Sequence, residues 1–248
     1  MMLLTIDIGN TNISYGIFEG EILIKKGKIP TESPDYLRYL RNFPWEDIGE
    51  IIICSVVPQG LKRLRNGLKK FFPKKPFILG ENISVPMKNL YKKPEEVGQD
   101  RLVNAYAGYY FYGGNLVVID FGTAVTFDVV SGRGEYLGGM IFPGLRTSLE
   151  ALCQKAALLP KNMDFTLPKG FIGVSTKESI LSGIFNGFLA MTRQLVQILK
   201  EKQGIEKVVF TGGDASKLYP YLADLGTLRE TLILEGLRLI YENKKSNK

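Results

Sequence analysis

Two stretches constrain this chain more than anything else in it. "LLTIDIGNTN" (residues 3–12) and "LVVIDFGTAVT" (residues 116–126) are built alike. Each is an apolar run that carries an acid at its end, Asp7 or Asp120, with a glycine two residues later, Gly9 or Gly122. A short apolar run bounded by turn residues reads as a buried strand. Glycine then lets the backbone turn sharply and lets a ligand come close. Successive amides past such a turn form a concavity that binds anions. Asn10, Thr11, Asn12, Ser14 and Thr123 add neutral donors suited to phosphate oxygens. A carboxylate repels phosphate unless a cation lies between them, so each acid is expected to face a metal ion. Magnesium (Mg2+) takes one or two carboxylates together with substrate phosphates. One such turn alone would read as a hairpin whose Asp and Asn satisfy their own backbone. The recurrence favours a ligand.

The surroundings of the two stretches also repeat. Strands are expected at 3–8, 13–18 and 21–29, a meander with hairpin spacing. Then come a helix from Pro34 to about Phe43, a strand at 50–54, a helix at 59–72 and a strand at 76–79. A helix opening at 94–98 and running to about Tyr112 ends the first half. Past Gly113-Gly114 the order restarts: strands at 116–120, 125–130 and 135–142, a helix after Pro143-Gly144, and a long helix at 177–202. A strand at 207–211 leads into "GGDASKL" and a further helix, and a helix at 231–243 closes the chain. The repeat predicts two α/β halves, 1–112 and 113–248, with a cleft between them. In "FTGGDA" (residues 210–215) the Gly-Gly pair brings backbone close at a helix start, a place for nucleoside or phosphates.

Composition narrows the chemistry. At 248 residues, 45% hydrophobic and 23% charged, the chain can bury a full core in one large or two small domains. Its +7 charge would suit phosphate-bearing partners, but the lysines are spread along the chain, and nucleic-acid binding is not expected. There is no histidine. That removes Ser-His-Asp and Cys-His mechanisms and histidine-ligated zinc, and leaves carboxylate, lysine or tyrosine as a base. Cys54 and Cys153 share no metal spacing and read as buried small hydrophobes in a reducing compartment. No basic leader precedes the first strand, and no apolar run approaches a membrane span. The expectation is a soluble cytoplasmic protein. In "VGQDRLVNAY", Asp100 beside Arg101 is a candidate base; an acid there also suits the first turn of a helix. A guanidinium at Arg101 could hold a carboxylate bidentately.

Two Asp-x-Gly turns and a late Gly-Gly turn resemble the sugar kinase, actin and chaperone ATPase superfamily. The finer resemblance is to type III pantothenate kinase. "DIGNTN", "PEEVGQDR", "IDFGTAVTFD", "GGMIFPGL", "STKESILSG" and "FTGGDA" are similar to that family's blocks, in order, over nearly the whole chain. The resemblance implies two RNase H-like (actin-like ATPase) domains and ATP-dependent phosphorylation of pantothenate to 4′-phosphopantothenate, the first step of coenzyme A biosynthesis. It implies that Asp7, Ile8, Gly9, Asn10, Thr11, Asn12, Ile13, Ser14 and Thr123 bind ATP. Tyr91, Gly98, Gln99, Asp100, Arg101 and Thr176 would bind pantothenate, with Asp100 as proton acceptor. Asp120 would hold a monovalent cation, potassium (K+) or ammonium (NH4+), and the protein would be a homodimer. The family often has a basic residue two positions before the threonine; here it is Val174. Two rivals stay open at this point: a sugar-type kinase, and a non-catalytic accessory factor for transcription with the same fold.

Overall fold

The protein is described as a computed structural model covering residues 1–156, 158–160 and 163–246, with the backbone alone at Leu37. The chain divides into two compact units. The first is Met1–Tyr110 joined by the segment from Thr231 onward, and the second is Phe111–Glu230.

In the first unit, β1 (Met2–Ile8), β2 (Asn12–Glu19) and β3 (Ile22–Pro30) form the expected antiparallel meander. α1 (Tyr36–Leu40), β4 (Ile48–Ser55), α2 (Pro58–Leu68), β5 (Phe77–Ile78), the two-residue strand β6 (Lys88–Asn89) and α3 (Gln99–Tyr112) follow. The sheet order is β3-β2-β1-β4-β5, with β4 parallel to β1 and β5 parallel to β4. β1 and β4 are central and buried on both faces, as their near-continuous apolar sequences require. The second unit repeats the plan. β7 (Leu116–Phe121), β8 (Ala124–Val130) and β9 (Glu135–Pro143) make the meander. α4 (Leu145–Lys155), α5 (Thr176–Gln203), β10 (Lys207–Thr211), α6 (Ala215–Leu218) and β11 (Thr227–Leu228) follow, and the strands run β9-β8-β7-β10-β11.

The closing helix, α7 (Leu232–Ser246), departs from the expected division at 112/113. It packs in the first unit, where Leu234, Leu237 and Ile240 join Leu3, Ile52, Cys54 and Val103 in one core. Gly236 permits the approach to α3: a Cβ there would lie 2.7 Å from Val103 Cγ1. Residues 247 and 248 of the expected second half lie outside the described residues.

Several helices differ from expectation, among them α2, which ends at Leu68 rather than residue 72. α1 stops at Leu40 rather than Phe43, because Pro44 disfavours helical geometry just before it. α6 is a single turn, and a 3-10 turn containing Pro220 replaces its continuation. Residues 94–96 form a separate 3-10 turn, so α3 starts at Gln99. The long helix α5 falls within one residue of its expected span at each end. Ser175 caps it by accepting from Glu178 N at 3.3 Å, Glu178 Oε2 accepts from Val174 N at 3.0 Å, and Gly204 ends it in left-handed geometry.

Candidate active site

The first unit gathers three segments at the ends of its central strands. β1 delivers Asp7, half-buried, at its C-terminal end. Ile8 and Ile13 face each other across the β1–β2 pair, and both side chains lie in the core. Only their backbone can therefore meet a nucleotide. Asn10, Thr11 and Asn12 are exposed at the turn, and Ser14 is paired with Asp7 in register. The turn is braced from below. Gly9 N donates to Asn12 O at 3.0 Å, and Thr31 Oγ1 donates to Gly9 O at 2.7 Å. Thr31 O in turn accepts from the Tyr36 hydroxyl and, at 2.8 Å, from Arg63. A turn held this way keeps its outer amides aimed before any ligand arrives, which lowers the cost of binding.

Asp100 stands in the first turn of α3. Its Oδ1 accepts from Arg101 N at 2.9 Å. Burial raises its carboxyl above the ordinary range, against a smaller lowering by that backbone donor and the Arg101 charge. Arg101 is buried, Gly98 and Gln99 are half-buried beside it, and Gln99 lies against the Gly80 turn. Tyr91 is half-buried in the preceding loop, where its N donates to Asn89 Oδ1 at 3.0 Å.

Composition alone hides one participant here. Cys54 is buried, as expected, but its surroundings are not purely apolar. It pairs with Asp7 in the parallel β1–β4 register, which sets the two residues side by side. Burial, with Asp7 and Asp100 nearby, pushes that thiol well up. The only local hint was the position of "ICSVVP" at the end of a strand; the pairing partner is not written there.

In the second unit Asp120 ends β7, half-buried, and Thr123 is exposed at the tip of the next turn. Thr123 O accepts from Gly144 N at 2.8 Å and from Thr147 Oγ1 at 2.7 Å, which ties the start of α4 to the turn. Gly212 (φ +101°) closes in from β10: a Cβ there would lie 2.3 Å from Asp120 Oδ1 and 2.6 Å from Phe121 N. Asp214 N donates to Phe121 O at 2.9 Å, which locks the Gly-Gly turn against β7. The Asp214 side chain does not cap α6; it pairs with Lys217 at 2.5 Å and Arg146 at 3.8 Å. The helix-start role expected for "GGDA" shrinks accordingly to one of close backbone approach. Thr176 lies elsewhere in this unit, exposed at the first position of α5, with Val174 exposed two residues before it.

The donor sets fit hard cations. Among the described residues no group of three or more His, Cys, Asp or Glu could hold a metal. Asp7 offers one carboxylate, which suits a magnesium ion that keeps its waters and takes other ligands from phosphate. Asp120 offers a carboxylate in a cradle of peptide groups that a side chain at position 212 would fill.

Two units with the same strand order, each with an acidic glycine turn at the end of its first strand, define the class: the actin-like ATPase and sugar kinase fold. The sequence profile of type III pantothenate kinase matches residues 3–198. A type III pantothenate kinase from Citrifermentans bemidjiense is 40% identical over 98% of this chain and 100% of its own length. The chain belongs to the type III pantothenate kinase family. Among solved structures, a Campylobacter jejuni protein assigned to the Baf family of transcriptional activators superimposes with a TM-score of 0.64 at 23% identity, covering 98% of this chain and 99% of that one. The activator of 2-hydroxyisocaproyl-CoA dehydratase from Clostridium difficile, with bound ADPNP, gives 0.57 at 15% identity over 100% and 97%. At those identities the likeness is one of fold.

Proposed function

We propose that this protein transfers the γ-phosphoryl group of ATP to the primary hydroxyl of pantothenate, giving 4′-phosphopantothenate and ADP in the first step of coenzyme A biosynthesis. One observation carries the reading: the Gly98–Arg101 block heads α3 in a chain related to type III pantothenate kinases along nearly its whole length.

Phosphoryl transfer asks a protein for positioning and charge stabilisation rather than covalent chemistry. Asp100 accepts the hydroxyl proton as the acceptor oxygen attacks. Its raised affinity for a proton, caused by burial, suits that task. Arg101 holds the pantothenate carboxylate, and Tyr91, Gly98, Gln99 and Thr176 complete the acceptor site. Asp7 to Ser14 and Thr123 hold ATP, Ile8 and Ile13 through their backbone. Asp7 would hold the nucleotide's magnesium and Asp120 a potassium or ammonium ion; bound there, these cations neutralise charge on the triphosphate. The working form is a cytoplasmic homodimer, with neither membrane nor nucleic acid as partner.

The test is to incubate the purified protein with ATP, magnesium, potassium and either pantothenate or a panel of hexoses, and to look for the phosphorylated product by mass spectrometry. Phosphopantothenate is expected. Sugar phosphates without phosphopantothenate would overturn the reading.

A further inference from the structure

One buried residue, Thr31, stands between the Gly9–Asn12 turn and a cleft on the surface of the first unit. Thr31 N donates to Thr11 O at 3.1 Å, and Thr31 Oγ1 donates to Gly9 O at 2.7 Å. Its carbonyl accepts from the Tyr36 hydroxyl and, at 2.8 Å, from the Arg63 guanidinium. Arg63 Cζ lies 5.5 Å from the centre of the Tyr36 ring, within cation–π range. Both side chains line a cleft of about 290 Å³ between the β3–α1 loop and the second half of α2. Ser33, Asp35, Asn66 and Lys70 supply the rest of its polar lining. The cleft suits an anion. From residue 51 to residue 80 the chain carries seven Lys and Arg and no Asp or Glu. A stretch of one sign concentrates anions at its surface. Arg63 uses one N–H of its planar fork on Thr31 O, and the rest of that fork matches phosphate geometry. Asn66 and Lys70 are exposed, and among the described residues their side chains meet no partner. The acid in the lining, Asp35, is engaged: its Oδ1 accepts from Arg38 N at 3.2 Å. The volume is more than a bare phosphate fills and stands at the lower end of small-molecule sites, about 300–1,000 Å³.

We propose that the cleft between Arg63 and Lys70 is an effector site for a small, soluble phosphate monoester, coupled to the ATP turn through Thr31. The inference rests on the proposed nucleotide role of that turn. Arg63 is long and exposed, so holding Thr31 O costs it side-chain freedom. A phosphate held by Arg63 and Lys70 together fixes the guanidinium where it supports Thr31. The turn then meets ATP already ordered, so the ligand tightens nucleotide binding. Linkage makes the effect reciprocal: nucleotide tightens the phosphate monoester by the same factor.

The probe is glycerol 3-phosphate, titrated by calorimetry into the full-length protein with and without a saturating non-hydrolysable ATP analogue and magnesium. Saturable binding is expected in both arms, about fivefold tighter with the nucleotide. Lys70→Glu should weaken it by about tenfold, as the loss of a charged contact does, and leave turnover without the probe unchanged. Arg63→Lys keeps the charge and loses the fork: the probe should still bind, but nucleotide should no longer tighten it. Absence of saturable binding overturns the proposal, as does binding that Lys70→Glu leaves intact, which puts the anion elsewhere. Binding that nucleotide weakens or leaves unchanged overturns the effector role. Retention on phosphatidic-acid vesicles without binding of the soluble probe assigns the cleft to a lipid headgroup and overturns the soluble ligand. If the ATP analogue binds normally and the probe does not, the proposal alone falls. If the analogue does not bind, the nucleotide reading falls and the effector role with it.

Discussion

The Asp100 carboxylate is covered enough that its charge is costly, and that cost has a sign. Burial favours the protonated form and moves its titration upward. A base works only when ionised, so kcat/KM should fall as pH drops through that raised value. The acidic limb should lie above the ordinary aspartate value of about 3.9, and a pH–rate profile checks this. Asp100→Asn should remove about 10²–10⁴-fold of kcat and leave ATP affinity close to the parent's; near-normal turnover would reject the base. The same shift acts on stability. The protonated acid loses nothing on folding, whereas the ionised acid destabilises the fold increasingly as pH rises through the raised value. Asp100→Asn should therefore not lower the thermal midpoint at neutral pH. Asp7, Asp100, Asp120 and Arg101 were legible in the sequence, because each stands at an element boundary marked by glycine. The place of Cys54 beside Asp7 was not: it lies in a parallel register between residues 47 positions apart, which no local pattern encodes.

At the scale of elements, the strand ends carry the design and the helices hold them. Gly212 is the sharpest case, with left-handed backbone and no room for a side chain beside Asp120. Gly212→Ala should store about 1–3 kcal/mol of strain and lower the thermal midpoint by several degrees. It should also weaken potassium dependence more than pantothenate KM, which titration of the rate with potassium would show. The longer strands were the readable elements, since β-branched runs with turn residues between them leave little choice; the two-residue strands β6 and β11 were not expected. Helix ends were less so. Pro44 shortens α1, and Pro220 reduces α6 to one turn, although the apolar spacing before each would have allowed more. α5 was legible to within one residue at each end, and the structure shows Ser175 and Gly204 as its caps.

The whole molecule is one plan used twice, β3-β2-β1-β4-β5 and β9-β8-β7-β10-β11. That duplication could be read from the chain, because both meanders open on the same acidic motif. Which unit the last helix covers could not, since an amphipathic helix does not name its partner. Leu237, buried against Val103 and Cys54, shows the answer. Leu237→Ala should cost about 2–5 kcal/mol, and hydrogen exchange should report the loss in β1 and β4 before β7 and β10. The most direct measurement on the central claim is a phosphorus NMR time course with ATP, magnesium, potassium and pantothenate. ADP and phosphopantothenate should appear in equal amounts, only when pantothenate is present and not with Asp100→Asn. ADP accumulating with inorganic phosphate whether or not pantothenate is added would contradict it.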